Sequence, residues 1–136
     1  MSKIRTYIDA NVLIAAWRGD GDAGSKALEI LEDPQRVLIV SDPLWLEVLP
    51  KPMFYNKQDE VAFYEEIFRA AAHRVAWSLT VLDCAKELAV KYGIAAMDAI
   101  HVAAALASDA LEFVSGEKPG KPMFRVTAMH IISLQS

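Results

Sequence analysis

The feature that most constrains this chain is the run Val37-Leu38-Ile39-Val40, followed at once by Ser41-Asp42-Pro43. Four consecutive apolar residues rich in β-branched side chains make a strand buried on both faces, as in a parallel sheet. The residues after the run open a helix: a side-chain oxygen caps the first amides, and proline sits just inside. A strand buried on both faces needs helices above and below it. The sequence supplies them by repeating this strand-to-helix order.

Residues 3–8 read as a strand ending in Asp9, and residues 11–18 as a short helix ended by Gly19-Asp20-Gly21. Ala23, Ala27, Leu28 and Leu31 recur at helical spacing over residues 22–32, and Asp33-Pro34 closes that helix. A helix over 44–49 is stopped by Pro50-Lys51-Pro52, so residues 50–56 read as a turn inside the domain. Further helices are expected over 59–72, over 80–92 with Gly93 as cap, and over 97–106. Strands are expected over 74–77, 112–115 and 131–134, with a glycine- and proline-rich loop at 116–122. The alternation implies a doubly wound, three-layer α/β/α fold around a central parallel sheet.

At 136 residues the chain reads as one domain over 1–136, with no repeat, low-complexity segment or linker. Its 54% hydrophobic content is enough to bury a core without disulfides. The single cysteine, Cys84, reads as a small apolar residue rather than a catalytic thiol, and fits a reducing compartment. Asp9 interrupts any apolar run near the start, and no stretch of about 18 apolar residues follows. A cytoplasmic protein that does not cross a membrane is the expectation.

In an open parallel sheet, ligands bind beyond the carboxyl ends of the strands. Four acids fall there. Asp9 ends the first strand, Glu47 lies in the helix leaving the second, Asp98 opens the alanine-rich helix, and Glu117 follows the strand ending at Ser115. Taken singly, each has an ordinary explanation: a cap, a surface ion pair or a helix-dipole partner. Taken together, they are oxygen ligands without thiols or paired histidines. Such a set suits Mg²⁺ or Mn²⁺, and such cations serve phosphodiester hydrolysis.

Asp9-Ala10-Asn11 after a strand, Glu47, Met97-Asp98-Ala99-Ile100-His101 and Ser115-Gly116-Glu117 together resemble a PIN domain over residues 3 to about 134. The toxin ribonucleases of the VapBC toxin–antitoxin class offer the comparison. The resemblance implies a PIN-like α/β fold and a metal-dependent endoribonuclease. Asp9, Glu47, Asp98 and Glu117 would be the catalytic, metal-binding acids. Asn11 would orient Asp9, and Ser115 would support the site. It also implies an RNA substrate, a cognate antitoxin and a homodimer. One departure stands out: the family's fourth acid is usually an aspartate in a Thr-x-Asp setting, where this chain has Ser115-Gly116-Glu117. The longer glutamate could reach the site or point away, which leaves the metal count open.

Lys118, Lys121 and Arg18 are candidate phosphate contacts, each also readable as a solvated cation. His101 could hydrogen-bond a carboxylate or simply pack in the core. Trp17, Trp45 and Trp77 read as core residues, with Trp17 near the site mouth. Two rivals remain. A haloacid-dehalogenase phosphatase would need a second aspartate where Asn11 stands. A PIN-like module with a weakened site could serve only as a protein or RNA partner.

Eighteen acids oppose fourteen bases, a formal net charge of −4, which argues against coating nucleic acid by bulk positive charge. Setting aside Asp9, Glu47, Asp98 and Glu117 leaves fourteen of each. The surplus equals the proposed cluster, so bound cations would offset it.

Overall fold

A computed structural model describes residues 3–135. Met1, Ser2 and Ser136, at the ends of the expected 1–136 domain, lie outside the described residues. Five strands form one parallel sheet: β1 (Ile4–Ile8), β2 (Arg36–Ser41), β3 (His73–Val75), β4 (Glu112–Ser115) and β5 (His130–Ser133), in the order β3-β2-β1-β4-β5. Among the described residues, seven α-helices connect them: α1 (Ala10–Arg18), α2 (Gly21–Glu32), α3 (Asp42–Val48), α4 (Pro50–Phe54), α5 (Gln58–Ala70), α6 (Leu79–Tyr92) and α7 (Ala96–Ala107). The expected three-layer PIN-like α/β fold with a parallel sheet is present.

Side chains alternate across each central strand. Tyr7, Ile39 and Phe113 enter the core under α6 and α7, while their neighbours Ile8, Val40 and Val114 enter the core under α1, α2, α3 and α5. That alternation is why the central strands read as continuous apolar runs. Local signals set the helix ends. Ser41 and Ser78 accept from Leu44 and Val81 N–H as N-caps, and Gly19 and Gly93 end α1 and α6 in the left-handed conformation.

The chain builds β1, β2 and β3 outward on one side, then returns to lay β4 against the other side of β1. β1 and β4 therefore flank the point where the strand order reverses, and their carboxyl ends are Asp9 and Ser115.

Two expectations are corrected. Residues 50–54 are helical, not a turn: Pro50 begins α4. Both Pro50 and Pro52 lie in the first turn, whose amides have no intrahelical partner to lose. Trp17 and Trp77 are not core residues, being 38% and 47% exposed. Trp17 lies against the Phe63 ring at 5.6 Å. Residues 122–125, from the last residue of the expected loop onward, form a short 3₁₀ turn that buries Met123. Cys84 packs against the core under α6 and α7, and burial raises its thiol pKa, which makes it a poor nucleophile.

Candidate active site

Asp9 is 5% exposed and caps α1. Its Oδ1 accepts from Ala10 N–H and its Oδ2 from Ser115 Oγ, each at 2.8 Å. Burial pushes its pKa up, and Glu47 adds to the rise; His101, Ser115 and Ala10 oppose it. Each oxygen has one donor and keeps capacity for another partner.

Asp98 stands in the first turn of α7, half-buried. Its helix has no side-chain cap, and no hydrogen-bond donor reaches the carboxylate among the described residues. Burial raises its pKa first, then the charges of Asp9 and Glu117. Asp9 and Glu117 thus both lie within electrostatic reach of Asp98.

The Gly116–Glu117 turn is held on all four of its backbone polar groups. Gly116 N–H donates to Asn11 Oδ1 at 2.7 Å, and Glu117 N–H to Ser115 Oγ at 3.1 Å. The Gln135 amide donates to the Gly116 carbonyl at 2.7 Å, and Ser133 Oγ to the Glu117 carbonyl at 2.5 Å. A side chain at 116 would crowd Asn11: its Cβ would lie 2.9 Å from Asn11 Cγ, so one of the two would have to shift. Asn11 was expected to orient Asp9. It instead holds this turn, and Ser115 and Ala10 hold Asp9. The turn brings Glu117 towards Asp98, with Lys121 Nζ 3.9 Å from Glu117 Oε2. Lys118 is exposed.

Glu47 joins the group through His101, whose Nε2 donates to Glu47 Oε1 and lies 4.0 Å from Asp9 Oδ1. His101 is fully buried. Its other nitrogen meets Tyr7 Oη at 2.7 Å, and that oxygen meets Ser41 Oγ at 2.6 Å. Burial raises the Tyr7 pKa far above its usual value, so the phenol keeps its proton. The contribution of Tyr7 was missed, because a tyrosine inside a strand reads as core. The available signal was chemical: a buried tyrosine hydroxyl needs a partner. Arg18 lines a groove of about 310 Å³ beside Glu47, together with Lys51 and Lys57.

An acid at the opposite end of the sheet gives a contrast. Glu112, also buried, is neutralised by Arg36 and accepts from Thr6 Oγ1 at 2.7 Å. No arginine pairs with Asp9, Asp98, Glu47 or Glu117 among the described residues. Nor do three of the acidic, histidine or cysteine side chains already converge as a cage. The donors still fit a hard divalent cation: they are carboxylate oxygens, mutually repelling, with spare lone pairs.

Carboxylates without an arginine partner, at the switch point of a doubly wound sheet, define an α/β protein with an acidic site at its strand ends. The PIN domain family model matches residues 6–118, and the chain belongs to that family. PIN domains are generally nucleases that use divalent metals. Solved structures share the fold. VapBC2 from Rickettsia felis, bound to a promoter DNA fragment, matches with a TM-score of 0.71 at 14% identity, covering 96% of this chain and 98% of that one. A toxin–antitoxin complex from Klebsiella pneumoniae matches at 0.69 and 19%, covering 95% and 97%. FitAcB from Neisseria gonorrhoeae matches at 0.64 and 19%, with the same coverage. Comparison by sequence with curated proteins finds no match. No helix among the described residues is long and apolar enough to cross a membrane.

Proposed function

We propose that this PIN domain, acting as a single unit over residues 1–136, is a metal-dependent endoribonuclease and the toxin of a toxin–antitoxin pair. The observation that carries the reading is the group of Asp9, Asp98 and Glu117, which no arginine neutralises among the described residues, with Glu47 attached through His101. Asp9, Glu47, Asp98 and Glu117 would hold Mg²⁺ or Mn²⁺. When bound, such a cation polarises a phosphodiester and makes water more acidic. Ser115 keeps Asp9 facing the site, and Asn11 keeps the Glu117 turn in place. Arg18, Lys118 and Lys121 would contact RNA phosphates, as positioning rather than sequence-reading contacts.

The toxin part of the reading draws on the neighbouring structures, which are toxin–antitoxin complexes. A cognate antitoxin would neutralise the nuclease. A second copy of the chain would cover the apolar hollow beside Glu47, where Leu46 is 70% and Trp77 47% exposed and Met97 lies close by. A cytoplasmic setting fits such a pair.

The test is cleavage of mixed RNAs with Mg²⁺, with Mn²⁺ and with EDTA. Cleavage that needs the cation supports an enzyme. RNA or protein binding without cleavage in any cation would favour the weakened binding module instead.

A further inference from the structure

The hydrogen bonds behind Glu47 run in one direction. A backbone amide can only donate, so Leu44 N–H donates to Ser41 Oγ, at 3.1 Å. Among the described residues, the sole other partner of that hydroxyl is Tyr7 Oη, at 2.6 Å. If Ser41 donates to Tyr7, every proton in the chain has an acceptor. Tyr7 then donates to His101 Nδ1, at 2.7 Å. With Nδ1 accepting, the neutral ring carries its proton on Nε2, and that proton faces Glu47. The reverse direction would leave the Ser41 proton without an acceptor in a fully buried place.

We infer that Ser41 and Tyr7 lock His101 as its Nε2–H tautomer, and that this proton positions the Glu47 carboxylate towards Asp9. His101 and Tyr7 are thus positioning residues, not catalytic ones. The setting suits the task. His101 packs tilted against Tyr7 at 5.8 Å, and Tyr7 stacks on buried Phe113 at 5.2 Å, so neither ring is free to turn away. Glu47 itself is exposed on the helix surface and has no other hydrogen-bond partner among the described residues. Without His101, its rotamer would be set by solvent. Outer partners that orient metal-binding side chains commonly matter about 10–100-fold to affinity or activity. The metal-binding consequence rests on the nuclease reading above; the tautomer lock does not.

The experiment combines ¹⁵N–¹H spectra of the imidazole rings in the metal-free protein with Mn²⁺ titration followed by electron paramagnetic resonance. The wild type should show one His101 tautomer, Nε2–H, at neutral pH. Tyr7→Phe keeps the ring stacking but removes the donor to Nδ1, and should give mixed tautomers. His101→Asn removes the donor to Glu47 and should weaken Mn²⁺ binding about 10–100-fold. His101→Gln, whose amide nitrogen reaches the Nε2 position, should recover most of that loss. An Nδ1–H tautomer or an imidazolium in the wild type overturns the lock. So does a Tyr7→Phe protein with an unchanged tautomer. Equal losses in His101→Asn and His101→Gln overturn the positioning of Glu47. A wild type with the expected tautomer that binds no Mn²⁺ and cleaves no RNA overturns the nuclease reading, while the lock stands.

Discussion

Ser115 Oγ donates to Asp9 Oδ2 at 2.8 Å across 106 residues of sequence. The bond joins the carboxyl ends of the two strands that flank the switch point, and both residues are buried. It fixes the rotamer of an acid that burial would rather see neutral. Both side chains also serve the backbone: Asp9 Oδ1 accepts from Ala10 N–H and Ser115 Oγ from Glu117 N–H.

Asp9→Asn should therefore lower Mg²⁺-dependent RNA cleavage by at least about 100-fold, since even partners of a metal ligand are worth 10–100-fold. The fold should survive, because asparagine caps helices as well as aspartate. Asp98→Asn should have the same effect on cleavage. Rates on a fixed RNA, with circular dichroism as the folding control, check both. Wild-type cleavage by either variant would place the site elsewhere.

The metal-free protein should lose stability as pH rises above the ordinary aspartate pKa. Asp9 and Asp98 both have folded pKa values raised above their unfolded ones. Such groups stabilise below the unfolded pKa, and that stability is lost as pH rises through the folded pKa. Asp98→Asn should flatten part of this slope and raise the neutral-pH Tm. The gain should be only about 2 °C, because Asp98 is half-exposed and solvent screens its neighbours. Melting curves in EDTA, from about pH 3, below the ordinary aspartate pKa of about 3.9, up to about pH 8, decide it. A fall of several degrees would make Asp98 a dipole partner of α7 instead.

Adding Mg²⁺ should raise the wild-type Tm at neutral pH, as any ligand of the folded state does. The rise should be smaller in Asp9→Asn and Asp98→Asn, where one oxygen ligand has been weakened. Differential scanning fluorimetry against Mg²⁺ concentration measures it. An equal rise in all three proteins would mean that the cation binds outside this group.

How far these features were legible in the sequence depends on their range. Val37 to Val40 and the Ser41 cap are local, and both appear where expected. Asp9, Asp98 and Glu117 were legible as acids at strand ends or helix starts. The partner choices were not. In the sequence Asn11 stands two residues from Asp9, but its acceptor oxygen serves Gly116, 105 residues on. His101 and Tyr7 lie 94 residues apart, and nothing local marks their contact. Trp17 and Trp77 read as core because large apolar residues usually are. Here they stay partly exposed, Trp17 near the end of α1 and Trp77 in the connection between β3 and α6.

The Gly116 turn gives a test of placement rather than charge. Gly116→Ala leaves every carboxylate in the sequence, but its Cβ would sit 2.9 Å from Asn11 Cγ. One of the two must move, and the Gly116-to-Asn11 hydrogen bond stretches or breaks. A hydrogen bond of this kind is worth about 1 kcal/mol, so stability should fall by about that amount. Cleavage should fall further, about 10-fold or more, because Glu117 shifts with the turn. Asn11→Ala opens the space but removes the acceptor, so on its own it should slow cleavage too. In the double variant the clash is gone, and the methyl group should cost little beyond Asn11→Ala alone. Measured by a double-mutant cycle, the two changes should be strongly non-additive. Additive losses would show that Asn11 and Gly116 act apart, and that the turn does not set the position of Glu117 through their contact.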